Sequence, residues 1–261
     1  MKIVKSLALL LPVAVMVACS DSTTGSLSFA LTSRSAAVPL GPTPFSGAVV
    51  APSVVAAGDS TVIVLGDDSV IVRSVELVLK KIELKKIDAT SCDAVVGNDD
   101  CEEFETGAML VSLPLGATAI AQQVSVNATP GTYDELEFEI HKPGSSDDAA
   151  FIAAHPDFAA ISIRATGTYS QAGNRSDFVY TTDIDQGQQM SLVPPMSVAA
   201  GQTLTVTLRV DIADWFLNSG KTALVDPASA NKGQTNESVV ADNIKLSFHA
   251  FEDDDRDGLE D

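Results

Sequence analysis

The sequence predicts a mainly β protein: an antiparallel β-sandwich with a short inserted helix and a C-terminal helix. Short apolar runs recur along the chain, many of them alternate apolar with polar residues, and only two segments have helical features. With 261 residues, 45% of them hydrophobic, the chain is long enough to bury one sizeable core. We find neither a fixed repeat nor a linker that would divide it.

Most predicted strands are short runs in which every second residue is apolar, as expected of a strand with one buried face. Gly66-Asp67-Asp68 separates two of these runs and predicts a hairpin, and Thr129-Pro130-Gly131-Thr132 makes a turn before another. About nine to eleven strands are expected on this basis. The clearest are residues 27–31, 61–65, 70–72, 111–115, 121–126, 133–140, 161–165, 178–181, 190–193 and 204–210.

Two other segments are less regular. Residues 35–58 are rich in Ala, Pro, Gly and Val and predict a loose connection. Residues 75–87 carry enough charge for a surface helix, but their apolar residues alternate on both sides of Lys80-Lys81. A long strand with a one-residue bulge at that dipeptide fits the alternation better.

The inserted helix is predicted at residues 149–154. Residues 145–148 supply capping hydroxyls and carboxylates before it, and Pro156 ends it. Trp215, the only Trp, follows the strand at 204–210, and we expect it to anchor the core rather than to stack on a ligand.

The C-terminal helix is predicted from apolar spacing. Val240, Ile244, Phe248 and Phe251 recur at the intervals of one helical face, and Asn236-Glu237 can cap the segment. Part of the same stretch also alternates as a strand would, so that alternative stays open.

The first residues predict a signal peptide. Lys2 and Lys5 precede an apolar run at 7–17, which is too short to span a bilayer. The run ends in Ala18-Cys19, which resembles the lipobox of bacterial lipoproteins. That resemblance implies a lipidated Cys19 at the start of the mature chain; an ordinary secretory signal, with Cys19 incidental, is the alternative.

This interpretation gives the domain organisation. Residues 1–18 form the signal peptide, 19–26 the lipidated cysteine and its tether, 27–233 the β-sandwich, and 234–261 a C-terminal helix and acidic loop. The predicted location is the bacterial cell envelope, lipid-anchored. Ser20 after the cysteine fits the outer membrane in organisms that sort lipoproteins on that residue.

The charge limits the partners. A formal charge of −19 opposes binding to nucleic acid, which needs clustered Lys and Arg. Removal of the signal peptide takes away two Lys and no acidic residue, so the charge becomes −21. Because anionic lipid repels that charge, we expect the acyl chains to supply the membrane anchoring.

The remaining cysteines, Cys92 and Cys101, lie in a polar stretch between two apolar runs. A disulfide between them is the simplest interpretation in an oxidising compartment. A redox or zinc pair is the alternative, but the spacing is not CxxC and no His is nearby.

The C-terminus carries the most specific pattern. Asp253, Asp255, Asp257 and Asp261 occupy positions 1, 3, 5 and 9 of a DxDxDGxxD loop, with Gly258 at position 6. Such spacing suits Ca²⁺, which takes several oxygen ligands. The loop resembles thrombospondin type 3, dockerin and half EF-hand loops. Because the pattern stops at position 9, weak affinity is expected; a solvated acidic tail is the alternative.

A second resemblance covers residues 25–210. The segments 72–77, 110–113 and 130–136 resemble an uncharacterised bacterial lipoprotein family, a domain of unknown function with a carbohydrate-binding-like β-sandwich. The family has no assigned activity, so the resemblance implies a fold and a location only.

Catalytic motifs are not evident, and we expect a non-enzymatic protein. His141, His155 and His249 are interpreted as surface or capping residues. The first hypothesis is a structural or adhesive envelope protein that binds calcium. The second is a module for a glycan or another envelope protein, with loops 88–106 and 168–176 as the binding surface. The weakest is a hydrolase using paired carboxylates.

Overall fold

Two β-sheets enclose one hydrophobic core in this computed structural model, which describes residues 24–33, 52–87, 101–105, 107–116, 120–144 and 146–260. The strands in these ranges are β1 (Gly25–Thr32), β2 (Ser53–Ala57), β3 (Ser60–Leu65), β4 (Asp68–Lys86), β5 (Cys101–Glu105), β6 (Met109–Ser112), β7 (Ile120–Ala128), β8 (Gly131–Ile140), β9 (Ile163–Gln171), β10 (Asn174–Thr182), β11 (Gln186–Val198), β12 (Thr203–Val210) and β13 (Phe248–Glu252). The helices are α1 (Ala149–Ala154) and α2 (Glu237–Lys245). The predicted mainly β, sandwich-like fold with two short helices is confirmed.

The smaller sheet has the strand order β13-β12-β1-β7. Its inner strand β1 is antiparallel to β7 but parallel to β12, so one ladder departs from the purely antiparallel pairing that we predicted. Leu27, Phe29 and Leu31 of β1 are fully buried, but Ser28 and Ala30 between them are buried too, so the predicted strand forms without the single buried face that its alternation implied. Because β1 and β12 run in the same direction, the start of β1 lies beside the start of β12.

The larger sheet is built on β4. This 19-residue strand pairs with β3, β5, β6, β8 and β9, while β10 extends the sheet beyond β9 and β11 extends it beyond β8. The predicted hairpin joins β3 to β4, and Gly66 at its turn has a φ of 64°, a conformation that favours glycine.

The predicted bulge in β4 is confirmed. The pairing of β4 with β8 shifts register between Lys80 and Glu83, and Lys81 has a φ of 53°. The shift keeps the apolar residues on the core face before and after it, so all four of these are buried: Leu77, Leu79, Ile82 and Leu84.

Two strand predictions need correction. Residues 53–57, which we placed in a loose connection, form β2 and pair with β3. The strand predicted at 111–115 ends at Ser112. Pro114 has no backbone N–H for a ladder, although Leu113 and Leu115 on either side of it are still buried.

The C-terminal helix is shorter than predicted. α2 ends at Lys245, with Val240 and Ile244 buried in the core. Phe248 and Phe251 lie instead on β13, which pairs antiparallel with the edge of β12. The predicted segment 234–261 therefore contributes both α2 and a strand of the smaller sheet to the sandwich itself.

Trp215 anchors the core, as expected. Its side chain is fully buried, and its Nε1 donates a hydrogen bond to Ser247 Oγ at 2.9 Å. Asn243 of α2 donates to the carbonyl oxygens of Trp215 and Leu217, at 3.2 and 2.9 Å. These bonds attach α2 to the segment that follows β12 and so fix where β13 begins.

Candidate functional site

Three of the four C-terminal aspartates that the sequence predicted to converge do so. One carboxylate oxygen from each of Asp253, Asp255 and Asp257 lies within 4.8 Å of the others. Asp261 lies outside the described residues. The element before the loop is the strand β13 rather than a helix, so the expected helix-loop arrangement of half an EF-hand is wrong.

Asp253 fixes the loop to the smaller sheet. Its side chain is fully buried and accepts hydrogen bonds from Thr207 Oγ1 at 2.9 Å, from the backbone N–H of Asp257 at 3.0 Å and from that of Gly258 at 3.1 Å. Burial raises the pKa of this carboxyl above its usual value. Gly258 has a φ of 80°, in agreement with the predicted tight turn at position 6.

The other two aspartates are exposed and shape the turn. Asp255 accepts from the backbone N–H of Asp257 at 3.1 Å, and Asp257 accepts from that of Leu259 at 2.8 Å. Arg256 donates to Thr205 Oγ1 at 3.3 Å and ties the middle of the loop to β12. The converging group thus offers three carboxylate oxygens as ligand atoms.

A second cluster surrounds His141, which we had interpreted as a surface or capping residue. That interpretation is wrong, because the side chain is buried among acidic groups. Its Nδ1 lies 3.0 Å from Glu139 Oε1 and 3.4 Å from Asp185 Oδ1, and its Nε2 lies 3.0 Å from Asp148 Oδ2. Nδ1 and the two carboxylates it faces form a compact three-ligand group.

Several elements build this cluster. Glu139 lies on β8, and His141 follows directly after its end. Asp185 precedes β11, whose first residue pairs with the last residue of β8. Asp148 precedes α1, where we had expected a capping role, but its side chain makes no helix cap and points to the histidine. A pattern did exist in the sequence, where Glu135, Glu137 and Glu139 of β8 and then His141 recur at every second residue.

A carboxyl pair lies on the same face of β8. Glu135 and Glu137 share a hydrogen bond, which lowers the pKa of Glu135, while burial raises the pKa of Glu137. Lys85 Nζ lies 3.2 Å from Glu135 and 3.9 Å from Glu137. Such a pair of neighbouring carboxyl groups is what the hydrolase hypothesis needs. Glu135 and Glu137 do not line the open depression that is described next.

A shallow depression of about 270 Å³ lies where β11, β12 and β13 meet. Arg209 lines it and stacks 5.4 Å from the ring centre of Phe251. His249 also lines it, and burial, followed by the nearby Arg209, lowers the pKa of this imidazole. The depression joins cationic, aromatic and acidic groups, the last supplied by Glu260.

The remaining predicted sites are largely outside the described residues. Cys19 and Cys92 lie outside the described residues, whereas Cys101 begins β5 and pairs with Lys85 of β4. The lipidation and the disulfide therefore stay predictions. Of the two predicted binding loops, residues 168–176 form the tip of the β9–β10 hairpin, held to Asp68 through the N–H of Ala172 at 3.2 Å.

Comparison of the chain with protein-family models, with curated proteins and with solved structures found no match. Within the described ranges, neither helix has the length and apolar character that a membrane crossing requires. The functional argument therefore depends on the chemistry of the clusters themselves.

Proposed function

We propose that this chain is a lipid-anchored protein of the bacterial cell envelope with a structural or adhesive role, without enzymatic activity, and that its C-terminal loop binds calcium. The observation that carries the proposal is the convergence of Asp253, Asp255 and Asp257 on one point. The anchor itself is inferred from the sequence around Cys19.

The ligand chemistry supports a hard cation such as calcium. The three converging side chains offer only oxygen, which suits a hard cation. Asp253 is already held by three hydrogen bonds, and the exposed Asp255 and Asp257 can adjust around an ion. A bound divalent cation would also relieve the repulsion among three nearby carboxylates.

The position of the loop links the two parts of the proposal. Asp253 and Arg256 contact β12 at Thr207 and Thr205, near the end at which both β12 and β1 begin. A tether from Cys19 would enter the fold at that same end and spans at most about 20 Å when extended. Calcium bound there would reduce the repulsion between an acidic chain and an anionic membrane surface.

Lipid labelling tests the anchor. In cells fed a radiolabelled fatty acid, we expect the chain to carry the label and the Cys19→Ser variant to lose it, because only a thiol accepts the diacylglyceryl group. Ser20→Ala is the matched control and should keep the label. Labelling that persists in Cys19→Ser would exclude Cys19 as the site.

Thermal unfolding tests the calcium site. Calcium at about ten times its Kd should stabilise the folded chain by about 1.4 kcal/mol, a rise in Tm of about 3 to 5 °C for a chain of this size. The rise, measured against chelator, should disappear in Asp255→Asn. A Tm that does not depend on calcium would contradict the proposal.

A binding module for a glycan or another envelope protein is the second candidate. The depression beside Arg209, Phe251 and Glu260 favours it, since it combines a ring with charged groups. A glycan array probed with folded protein, and repeated with Arg209→Ala, tests the glycan version. A hydrolase is the weakest candidate and would depend on Glu135 and Glu137.

A further inference from the structure

The His141 ring is oriented by a buried carboxylate. Asp148 is 2% exposed, and its oxygens receive the backbone N–H of Gly144 at 3.1 Å and Lys80 Nζ at 3.4 Å. Both of these neighbours are donors, so the Asp148 oxygens act as acceptors. Nε2 of His141 lies 3.0 Å from Asp148 Oδ2 and is therefore the donor of this hydrogen bond.

The other ring nitrogen faces two more acceptors. Nδ1 lies 3.0 Å from Glu139 Oε1 and 3.4 Å from Asp185 Oδ1. Asp185 Oδ1 also accepts the backbone N–H of Lys142 at 3.1 Å, which identifies it as an acceptor as well. An unprotonated Nδ1 would direct its lone pair at two negative oxygens. The space between these three atoms is therefore a position for a cation: a proton on Nδ1 or a metal ion.

The charges of the cluster favour a divalent ion. The carboxylates of Glu139, Asp148 and Asp185 lie around the ring, and Lys80 Nζ contacts Asp148. A divalent cation between Nδ1 and the carboxylates of Glu139 and Asp185 would offset the repulsion between those two carboxylates.

We propose that Glu139, His141 and Asp185 form a site for a divalent transition-metal ion of the zinc type. The two distances from Nδ1 are close to the separation of about 3.3 Å between neighbouring ligands of a tetrahedral zinc ion. An imidazole nitrogen selects zinc over calcium. In metal sites a carboxylate often accepts a hydrogen bond from the second ring nitrogen of a metal-binding histidine and so orients the ring. Asp148 is positioned to do this for His141.

The site is open on one side. The side chain of Asp185 is 52% exposed and that of Glu139 is 25% exposed, whereas His141 is 9% exposed. An ion can therefore enter from solvent past Asp185 and would keep a fourth position for water. Three protein ligands with an open fourth position are the pattern of zinc sites that exchange or activate a ligand.

Calorimetric titration of Zn²⁺ into the purified, untagged full-length chain tests the proposal. We expect saturable binding of one ion at this site, weakened at least about tenfold in Asp185→Asn, since that variant removes a ligand charge from an exposed position. Asp147→Asn is the matched control, because Asp147 is exposed and next to Asp148, and it should bind as the parent does. Asp255→Asn, in the C-terminal loop, should also leave this binding unchanged.

Nitrogen NMR of the histidine side chains gives a second measurement that needs no variant. Zinc should shift the Nδ1 resonance of His141 and leave Nε2 protonated. The absence of saturable binding would overturn the proposal. So would binding that is lost only in Asp255→Asn, or a His141 ring that stays doubly protonated while zinc binds elsewhere.

Discussion

The C-terminal loop and the His141 cluster are both small groups of acidic residues, yet they are assembled in different ways. The loop draws three carboxylates from five consecutive residues and offers only oxygen atoms. The His141 cluster draws its groups from β8, the segment before α1 and the segment before β11, and it includes an imidazole. The buried members that fix the others are Asp253 in the loop and His141 with Asp148 in the second cluster.

This difference teaches what a local pattern can reveal. A loop whose ligands alternate along the chain is visible as spacing, because a tight turn brings such residues together in almost any surroundings. A cluster gathered by strand pairing depends on register, which the spacing of residues in the sequence does not show. The two clusters should accordingly differ in ion preference and in how strongly each depends on the fold.

The largest effect is expected from Asp148→Ala, which breaks the His141 cluster. The variant leaves the buried Nε2–H of His141 and the ammonium of Lys80 without their acceptor, at a cost of about 3 kcal/mol in the free energy of unfolding. Urea unfolding measures it, with Asp147→Ala as the exposed control, expected within about 0.5 kcal/mol of the parent. Equal stability of the two variants would mean that the cluster does not hold the fold together.

A smaller effect is expected from Thr207→Val, which acts on the loop from the sheet side. The shape of the side chain is kept, but Asp253 loses the donor at 2.9 Å while its two backbone donors remain. We expect a loss of about 1.5 kcal/mol in urea unfolding. Thr203→Val, at an exposed position of the same strand, should change the stability by less than about 0.5 kcal/mol. A Thr207→Val loss no larger than that of the control would show that β12 does not position the loop.

The smallest effect concerns pH. His141 lies among carboxylates, whereas His249 lies beside Arg209, and burial together with that arginine lowers the pKa of His249. The folded chain therefore binds this proton less readily than the unfolded chain does. The stability it contributes is present above the usual histidine pKa of about 6.5 and is lost as the pH falls toward the lowered value. Thermal melts across this range should show less acid destabilisation in His249→Gln; an unchanged pH dependence would exclude His249 as a contributor.

The sequence allowed much of the fold to be predicted, because burial imposes short-range patterns. The alternation around Lys80-Lys81 predicted the bulged second part of β4, whereas the continuity of this part with the strand predicted at 70–72 was not predicted. β2 was missed because it is an edge strand with Val55 exposed, so it lacks the alternation of a half-buried strand. The end of α2 was missed because Phe248 and Phe251 continue the helical spacing of apolar residues while they pack as part of a strand.

The candidate sites also differ in whether a short-range pattern in the sequence could predict them. Asp253, Asp255 and Asp257 were predicted from spacing alone, and they do converge. The burial of His141 was not predicted, because it depends on Asp148 and Asp185, which lie 7 and 44 positions further along the chain. Only the pairing of β8 with β11 and the placement of α1 bring those carboxylates to the ring.

Calorimetric titration of calcium into the full-length chain, beside Asp255→Asn and Asp254→Asn, tests the central claim most directly. The two variants remove the same charge from adjacent positions, but only Asp255 belongs to the converging group. We predict saturable binding with a Kd of about 10⁻⁴ to 10⁻³ M, retained in Asp254→Asn and lost in Asp255→Asn. Binding that is absent, or that weakens equally in both variants, would contradict the account and leave the loop as a charged surface turn.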